Sequence, residues 1–171
     1  MSGFRTIVAA VDFSETSDDA LRLAAELAGC HDSELHLLHV IPDARQQAWS
    51  VEAPGLDFSA LQEESMADAE RLLAQRSAVV VSALPRVVRR VVAGLPAARE
   101  IAQYAATHRA DLIVVGTHGY GPVRRLVLGS VADRVVRMAP CPVLTVPHHA
   151  LRASSPDWVP AEAHELDPAR S

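Results

Sequence analysis

The sequence predicts an open α/β fold, a parallel sheet with helices on both faces, and three observations lead to that reading. Five apolar runs of strand length are spaced through the first 147 residues, and segments with helical periodicity lie between them. Runs such as Leu112-Ile113-Val114-Val115 lack in-out alternation, as expected of strands covered on both faces. A length of 171 residues with 49% hydrophobic and 22% charged side chains suits one compact domain with a full core and is too short for two ordinary ones.

Taken in order, Thr6 to Val11 reads as the first strand, short and β-branched at its start. The first helix is expected to begin near Ser14 to Ser17, where hydroxyls can cap and Glu15, Asp18 and Asp19 favour the positive end of the dipole. Ala20, Ala24, Leu27 and Ala28 then share one face. Leu35 to Ile41 is the second strand. A long connection from Pro42 to Asp57, holding Trp49, Pro54 and Gly55, precedes a second helix through Met66, Ala69, Leu72 and Leu73. The run Ala78 to Leu84 has the valines of a strand, but Leu73, Val80 and Leu84 continue a helical face; helix end plus linker is the preferred reading. Val87 to Ala93 is the third strand. Gly94 and Pro96 separate it from a helix through Ile101, Ala105 and His108, with Pro96 near the first turn, where its missing N–H is harmless. Leu112 to Val115 and Val143 to Val146 complete the strands. From His148 to Ser171 the chain has three prolines, no sustained periodicity and a charge of −2, and reads as a partly disordered tail, packed at most through Leu151 or Trp158, after a domain over 1–147.

Charge and composition exclude several functions. A net charge of −5 opposes a general nucleic-acid or anionic-membrane surface. All 16 basic residues are Arg, so Walker-type phosphate binding and Schiff-base chemistry, which need an amine, are absent. The apolar stretch Ile7 to Val11 ends at Asp12 and is too short for a signal sequence or a membrane span, so a cytoplasmic protein is expected. Cys30 and Cys141 lie far apart without metal-ligand spacing, and buried packing roles are expected of them. His148-His149, and His36 with His39, form no defensible metal site, and no metal ligands are assigned.

The informative segment is Gly116 to Asp133, GTHGYGPVRRLVLGSVAD. Gly116 closes an apolar strand, Gly119 and Gly121 follow in a loop with Pro122, and Gly129-Ser130 opens a helical stretch through Met138. Ser130 is the expected N-cap, with Asp133 in a capping-box-like place. A helix N-terminus beside a Gly-rich turn offers unpaired N–H groups and a positive dipole end, which is what phosphates need. The bland alternative is that these glycines only turn the chain and Ser130 only caps. The GxGxxG dinucleotide fingerprint fails, because Gly119, Gly121 and Arg124 occupy its three positions, and Walker A fails for want of Lys.

Gly116-x-x-Gly119, nine residues, then Gly129-Ser130 resembles the nucleotide-binding pattern of universal stress proteins. The flanks resemble that family too: VDFSETSDDAL at Val11 to Leu21, LHVI at Leu38 to Ile41, and GSVADRVVRMAPCPVLTV at Gly129 to Val146. The resemblance implies a five-stranded, Rossmann-like parallel sheet of order 3-2-1-4-5, a homodimer paired through Val143 to Val146, and, in the branch with this glycine pattern, bound ATP. Carried over, Asp12 lies by the ribose and phosphates, Val40 flanks the adenine, and Gly116, Gly119, Gly129, Ser130 and Val131 hold ribose and phosphates. ATP ordinarily arrives with Mg²⁺ or Mn²⁺ held largely by its own phosphates. Asp12 has a structural alternative as a cap of the first helix. Arg124 and Arg125 either reach phosphate or stay solvated, and His118 has no identifiable carboxylate partner.

The expected function is that of an ATP-binding regulatory dimer with at most slow hydrolysis, since no general base is evident; no catalytic residue is assigned, and no downstream protein partner can be read. The competing reading is a nucleotide-independent dimeric interaction module of the same fold, which the intact glycine spacing opposes. A flavodoxin-like carrier or phosphotransferase is disfavoured, since three Phe and two Tyr beside two Trp leave little to stack a flavin.

Overall fold

A computed structural model of the chain describes residues 3–44, 57–117 and 128–147. The elements run β1 (Thr6–Ala10), α1 (Glu15–His31), β2 (Glu34–Ile41), α2 (Phe58–Ser77), β3 (Val87–Ala93), α3 (Ala97–Thr107), β4 (Leu112–Gly116), α4 (Ser130–Met138) and β5 (Val143–Val146). All strand pairs are parallel, and the sheet order is β3-β2-β1-β4-β5. The order reverses between β1 and β4, so the chain leaves their carboxyl ends in opposite directions and opens a crevice there.

Burial follows position in the sheet. The central strands β1 and β4 are buried almost throughout, while the edge strands β3 and β5 are mostly half-exposed. On one face Ile7, Ala9, Leu35, Leu37 and Val114 pack against Leu21, Ala24 and Ala28 of α1 and Leu73 of α2. On the other, Val8, Ala10, Leu38, Ile113 and Val115 pack against Ile101 and Ala105 of α3 and Val135 of α4. Each fully buried Leu or Ile contributes about 1.5–3 kcal/mol relative to exposure. Alanines on α1 let its axis approach the sheet closely, and Ala20, Ala24 and Ala28 are all at most 1% exposed.

Several local expectations are met and some are corrected. Ser14 caps α1 by accepting from the Ser17 amide, and the helix ends on Asp32 in the left-handed region. Residues 78–83 are turns after α2 and add no strand. Pro96 is itself the cap residue of α3. Leu72 points outward, at 39% exposed, so α2 buries Ala69 and Leu73 without it. Cys30 is exposed on α1, not buried, because its position falls off the alanine stripe; Cys141 is half-buried, and burial pushes its thiol up, away from a reactive thiolate. The tail over 148–171, with Leu151 and Trp158, and the greater part of the connection before α2 lie outside the described residues.

At the amino edge of the sheet, Asp111 ties β4 to β1. Its Oδ2 accepts from the Arg5 and Thr6 amides at 2.8 and 3.0 Å, and those bonds hold its carboxyl below the usual range. Nearby, His36 is 5% exposed, with Nδ1 2.9 Å from the Tyr104 hydroxyl. Its Nε2 lies 3.5 Å from a Glu34 carboxylate oxygen, an ionic neighbour without hydrogen-bond alignment. Tyr104 stacks on His108 at 3.9 Å. Burial pushes the His36 imidazole below its ordinary value, with His108 and Arg90 adding to the shift and Glu34 opposing it.

The unfolded chain therefore takes up the His36 proton before the folded one does. Stability from this group is complete above about pH 6.5 and declines as pH falls from there toward the folded-state value, levelling below it. Chemical denaturation at a series of pH values is expected to show that decline, with a shallower slope in His36→Gln. An equal slope in both proteins would show that His36 is not responsible.

Candidate functional site

The corner between β1 and α1 is built by polar contacts within a few residues. The Asp12 carboxylate accepts through Oδ1 from the Ser14 amide at 3.0 Å and the Ser14 hydroxyl at 2.6 Å, while the Asp12 amide donates to Ser17 Oγ at 3.3 Å. The cap of α1 is thus Ser14 and not Asp12, which supports the cap by accepting from its amide and hydroxyl. The role is compatible with a ligand, since Asp12 is exposed and Oδ2 takes no bond among the described residues. Phe13 has φ of 64°, a left-handed backbone that costs a bulky residue about 1–2 kcal/mol. Its ring lies against His39 with centroids 4.3 Å apart, and His39 Nδ1 is 2.6 Å from the Val11 carbonyl oxygen.

The second half of the site joins β4 to α4. The Thr117 amide donates to the Val146 carbonyl at 2.9 Å, and the Thr117 carbonyl accepts from the Gly129 amide at 2.6 Å. The start of α4 is thereby fixed at the carboxyl edge of the sheet. Here the expected capping is corrected: Gly129 is the N-cap, with φ −57° and ψ 151°, and Ser130 is the first helical residue. Asp133 then lies a residue too deep for a capping box, and its carboxylate pairs with Arg137 one turn on, at 3.1 Å. Among the described residues no side chain caps α4, so its opening amides at Ser130, Val131 and Ala132 are left without that partner there.

Gly116 has a structural requirement that its place in a ligand motif does not reveal. A Cβ there would sit 3.0 Å from the Thr16 carbonyl carbon and Cγ2 and 3.1 Å from the Thr16 carbonyl oxygen. Glycine lets the first turn of α1 lie directly over the end of β4.

The register brings the expected site residues to one edge. Ala10 pairs with Val115, so Val11 stands level with Gly116 and Asp12 projects just beyond it. Val40, half-buried, stands beside this corner on β2, next to His39. Gly129, Ser130 and Val131 face the same edge from α4, held by Thr117. Gly119, with His118, Gly121, Arg124 and Arg125, lies outside the described residues. Sequence reasoning missed Thr117, whose contribution is a backbone bridge without a side-chain signature, and left His39 unassigned because its spacing from His36 forms no metal site. Among the described residues no group of three or more His, Cys, Asp or Glu side chains is gathered to hold a metal ion.

A family model described as the universal stress protein family matches residues 3–147. The chain belongs to the universal stress protein family. It is 35% identical over 146 residues to the Thermus aquaticus "universal stress protein in QAH/OAS sulfhydrylase 3′region", covering 84% of this chain and 98% of that one. Among solved structures, the universal stress protein UspA from Lactobacillus plantarum superposes with a TM-score of 0.71 at 29% identity, covering 85% of this chain and 99% of that one. A universal stress protein in complex with cAMP shares the fold at a TM-score of 0.59 and 23% identity, covering 85% of this chain and 98% of its own. Universal stress proteins thus account for the sheet order and the helices on both of its faces.

Because Thr16 meets Gly116 through backbone atoms, Gly116→Ala is expected to lower stability by about 1–3 kcal/mol, the range for overpacking a tight contact. Chemical denaturation measures it. Unchanged stability would show that α1 can retreat from β4 without loss, and that Gly116 is not a packing glycine.

Proposed function

We propose that this universal stress protein binds an adenine nucleotide, ATP with a divalent cation, at the carboxyl edge of β1 and β4, and works as a nucleotide-dependent regulatory homodimer. The observation that most supports the reading is the opening of α4, where a glycine cap leaves backbone amides without a side-chain partner among the described residues, while Asp133 in the first turn is paired with Arg137. A helix with such a start favours an anion. In the proposed complex Ser130 and Val131 offer amides to the phosphates, Gly129 and Gly119 allow close approach, and Gly116, whose missing side chain makes room for Thr16, borders the site through its backbone. Asp12 Oδ2 takes a ribose hydroxyl or the cation, and Val40 flanks the base.

Magnitudes fit several weak contributors and no single strong one. The dipole supplies about 0.3–1 kcal/mol, whereas micromolar binding needs about 8 kcal/mol. Hydrogen bonds to a charged partner contribute about 1.5–3 kcal/mol each, so the opening amides of α4 plus base burial against Val40 reach that range. Support also comes from the fold, which in one protein holds cAMP. No general base is assigned in this reading, and turnover is at most slow.

The two edges of the sheet are treated differently, which favours pairing at β5. Edge strand β3 carries Arg89 and Arg90, both exposed, and charges of this kind block strand addition. Edge strand β5, Val143-Leu144-Thr145-Val146, carries none, and Val136 and Met138 on the neighbouring α4 are 48% and 49% exposed. No helix among the described residues is long and apolar enough to cross a membrane, and we take the cytoplasm as the site of action.

Denaturing the purified protein and chromatographing the supernatant is expected to release ATP or ADP, much reduced when Gly129 is replaced by Val. Equal nucleotide in both samples would remove the assigned site. Separately, sedimentation at micromolar concentration is expected to give the mass of two chains, and Thr145→Arg, which copies the device used on β3, is expected to give one. A monomeric wild-type chain would refute the edge pairing.

A further inference from the structure

The nucleotide corner is held by two side chains, His39 and Arg76, to which the reading above gives no contact with the ligand. Asp12 lies between Val11 and Phe13, and both flanking carbonyls are engaged by side chains from elsewhere in the fold. His39 on β2 holds the Val11 carbonyl oxygen at 2.6 Å. Arg76, in the last turn of α2, donates from Nη2 to the Phe13 carbonyl oxygen at 2.6 Å. The same Nη2 stands 3.3 Å from Asp18 Oδ2 in the first turn of α1. Phe13 is the residue with the left-handed backbone, so its carbonyl points where an unstrained chain would not send it. Arg76 is 63 residues away in sequence and bonds to that carbonyl.

A surface ion pair alone would be a weak device, because exposed pairs contribute little. The geometry gives Arg76 a second task. By holding the Phe13 carbonyl, the guanidinium fixes the rotation of the Phe13–Ser14 peptide, whose amide donates to Asp12 Oδ1. If that peptide relaxes, the Oδ1 bonds to Ser14 are lost and the outward direction of Oδ2 is no longer defined.

We propose that Arg76 is a positioning residue for Asp12, acting through the Phe13 carbonyl, so that docking of the α2 C-terminus onto the β1–α1 corner and occupancy of the nucleotide site reinforce each other. The inference rests on the nucleotide reading above and adds a route by which binding is felt on α2. Linkage makes the effect reciprocal: what holds the corner improves binding, and binding holds α2 in place.

The test uses full-length protein, calorimetric titration with ATP and Mg²⁺, and amide hydrogen exchange with and without ATP. Arg76→Ala is expected to weaken ATP binding by roughly 5- to 20-fold, within the usual range of coupling between sites. Arg76→Lys is expected to restore most of the loss. Asp18→Asn removes the ion pair and keeps the carbonyl contact, so it is expected to stay within about twofold of wild type, as exposed pairs do. ATP is expected to slow exchange at the Arg76 end of α2 in wild type and in Asp18→Asn but not in Arg76→Ala, a response that a merely structural role would not produce. ATP binding unchanged in Arg76→Ala, or a loss in Asp18→Asn as large as in Arg76→Ala, would overturn the coupling while leaving the nucleotide site standing. A wild-type chain that binds no ATP would overturn the nucleotide reading and the coupling together.

Discussion

The peptide of Thr117 sets the position on which the candidate site depends. Its amide extends the β4–β5 ladder by reaching the Val146 carbonyl, and its carbonyl takes the Gly129 amide at the head of α4. Each bond is ordinary by itself, yet together they convert the direction of a strand into the position of a helix start. Because β4 pairs with β1, that start stands beside the Asp12 corner, and because the sheet order reverses there, no helical crossover among the described residues runs between them.

The same edge shows how packing and binding make overlapping demands on glycine. Gly116 is needed because the Thr16 backbone lies over it. Gly129 needs no left-handed backbone, and what its lack of a side chain provides is an uncapped helix opening. A spacing that reads as one ligand motif therefore has at least two physical causes. Asp12 is likewise shared, with one carboxylate oxygen supporting the start of α1 and the other facing outward. Polar groups that build the corner are thus already ordered before a ligand arrives, which reduces the entropy lost on binding.

Much of the fold was legible because the burial of each strand is written in its composition. The unbroken apolar run Leu112 to Val115 marked a strand covered on both faces, whereas the exposed Arg89 and Arg90, which make β3 an edge, were not read as such. Helix boundaries were legible where a hydroxyl caps, as at Ser14, and misread where glycine does the capping, since Ser130 next to it has the stronger propensity. The order of the strands came from resemblance to the family and not from any residue pattern. Of the candidate site, Asp12, Val40, Gly116, Gly119, Gly129, Ser130 and Val131 were proposed as a set through the same resemblance, and Gly119 lies outside the described residues. The contacts that hold them were not legible: Thr117 acts through its backbone, the left-handed turn falls on a phenylalanine, and Arg76 and His39 reach the corner from other elements.

The central claim is that the opening amides of α4 receive a polyphosphate. Titrating ATP and Mg²⁺ into ¹⁵N-labelled protein and following each amide resonance tests this directly. The account predicts that Ser130, Val131 and Ala132 show the largest shifts, saturating together with Asp12 and Val40. Largest shifts on β3 or α3, with the start of α4 unmoved, would contradict it.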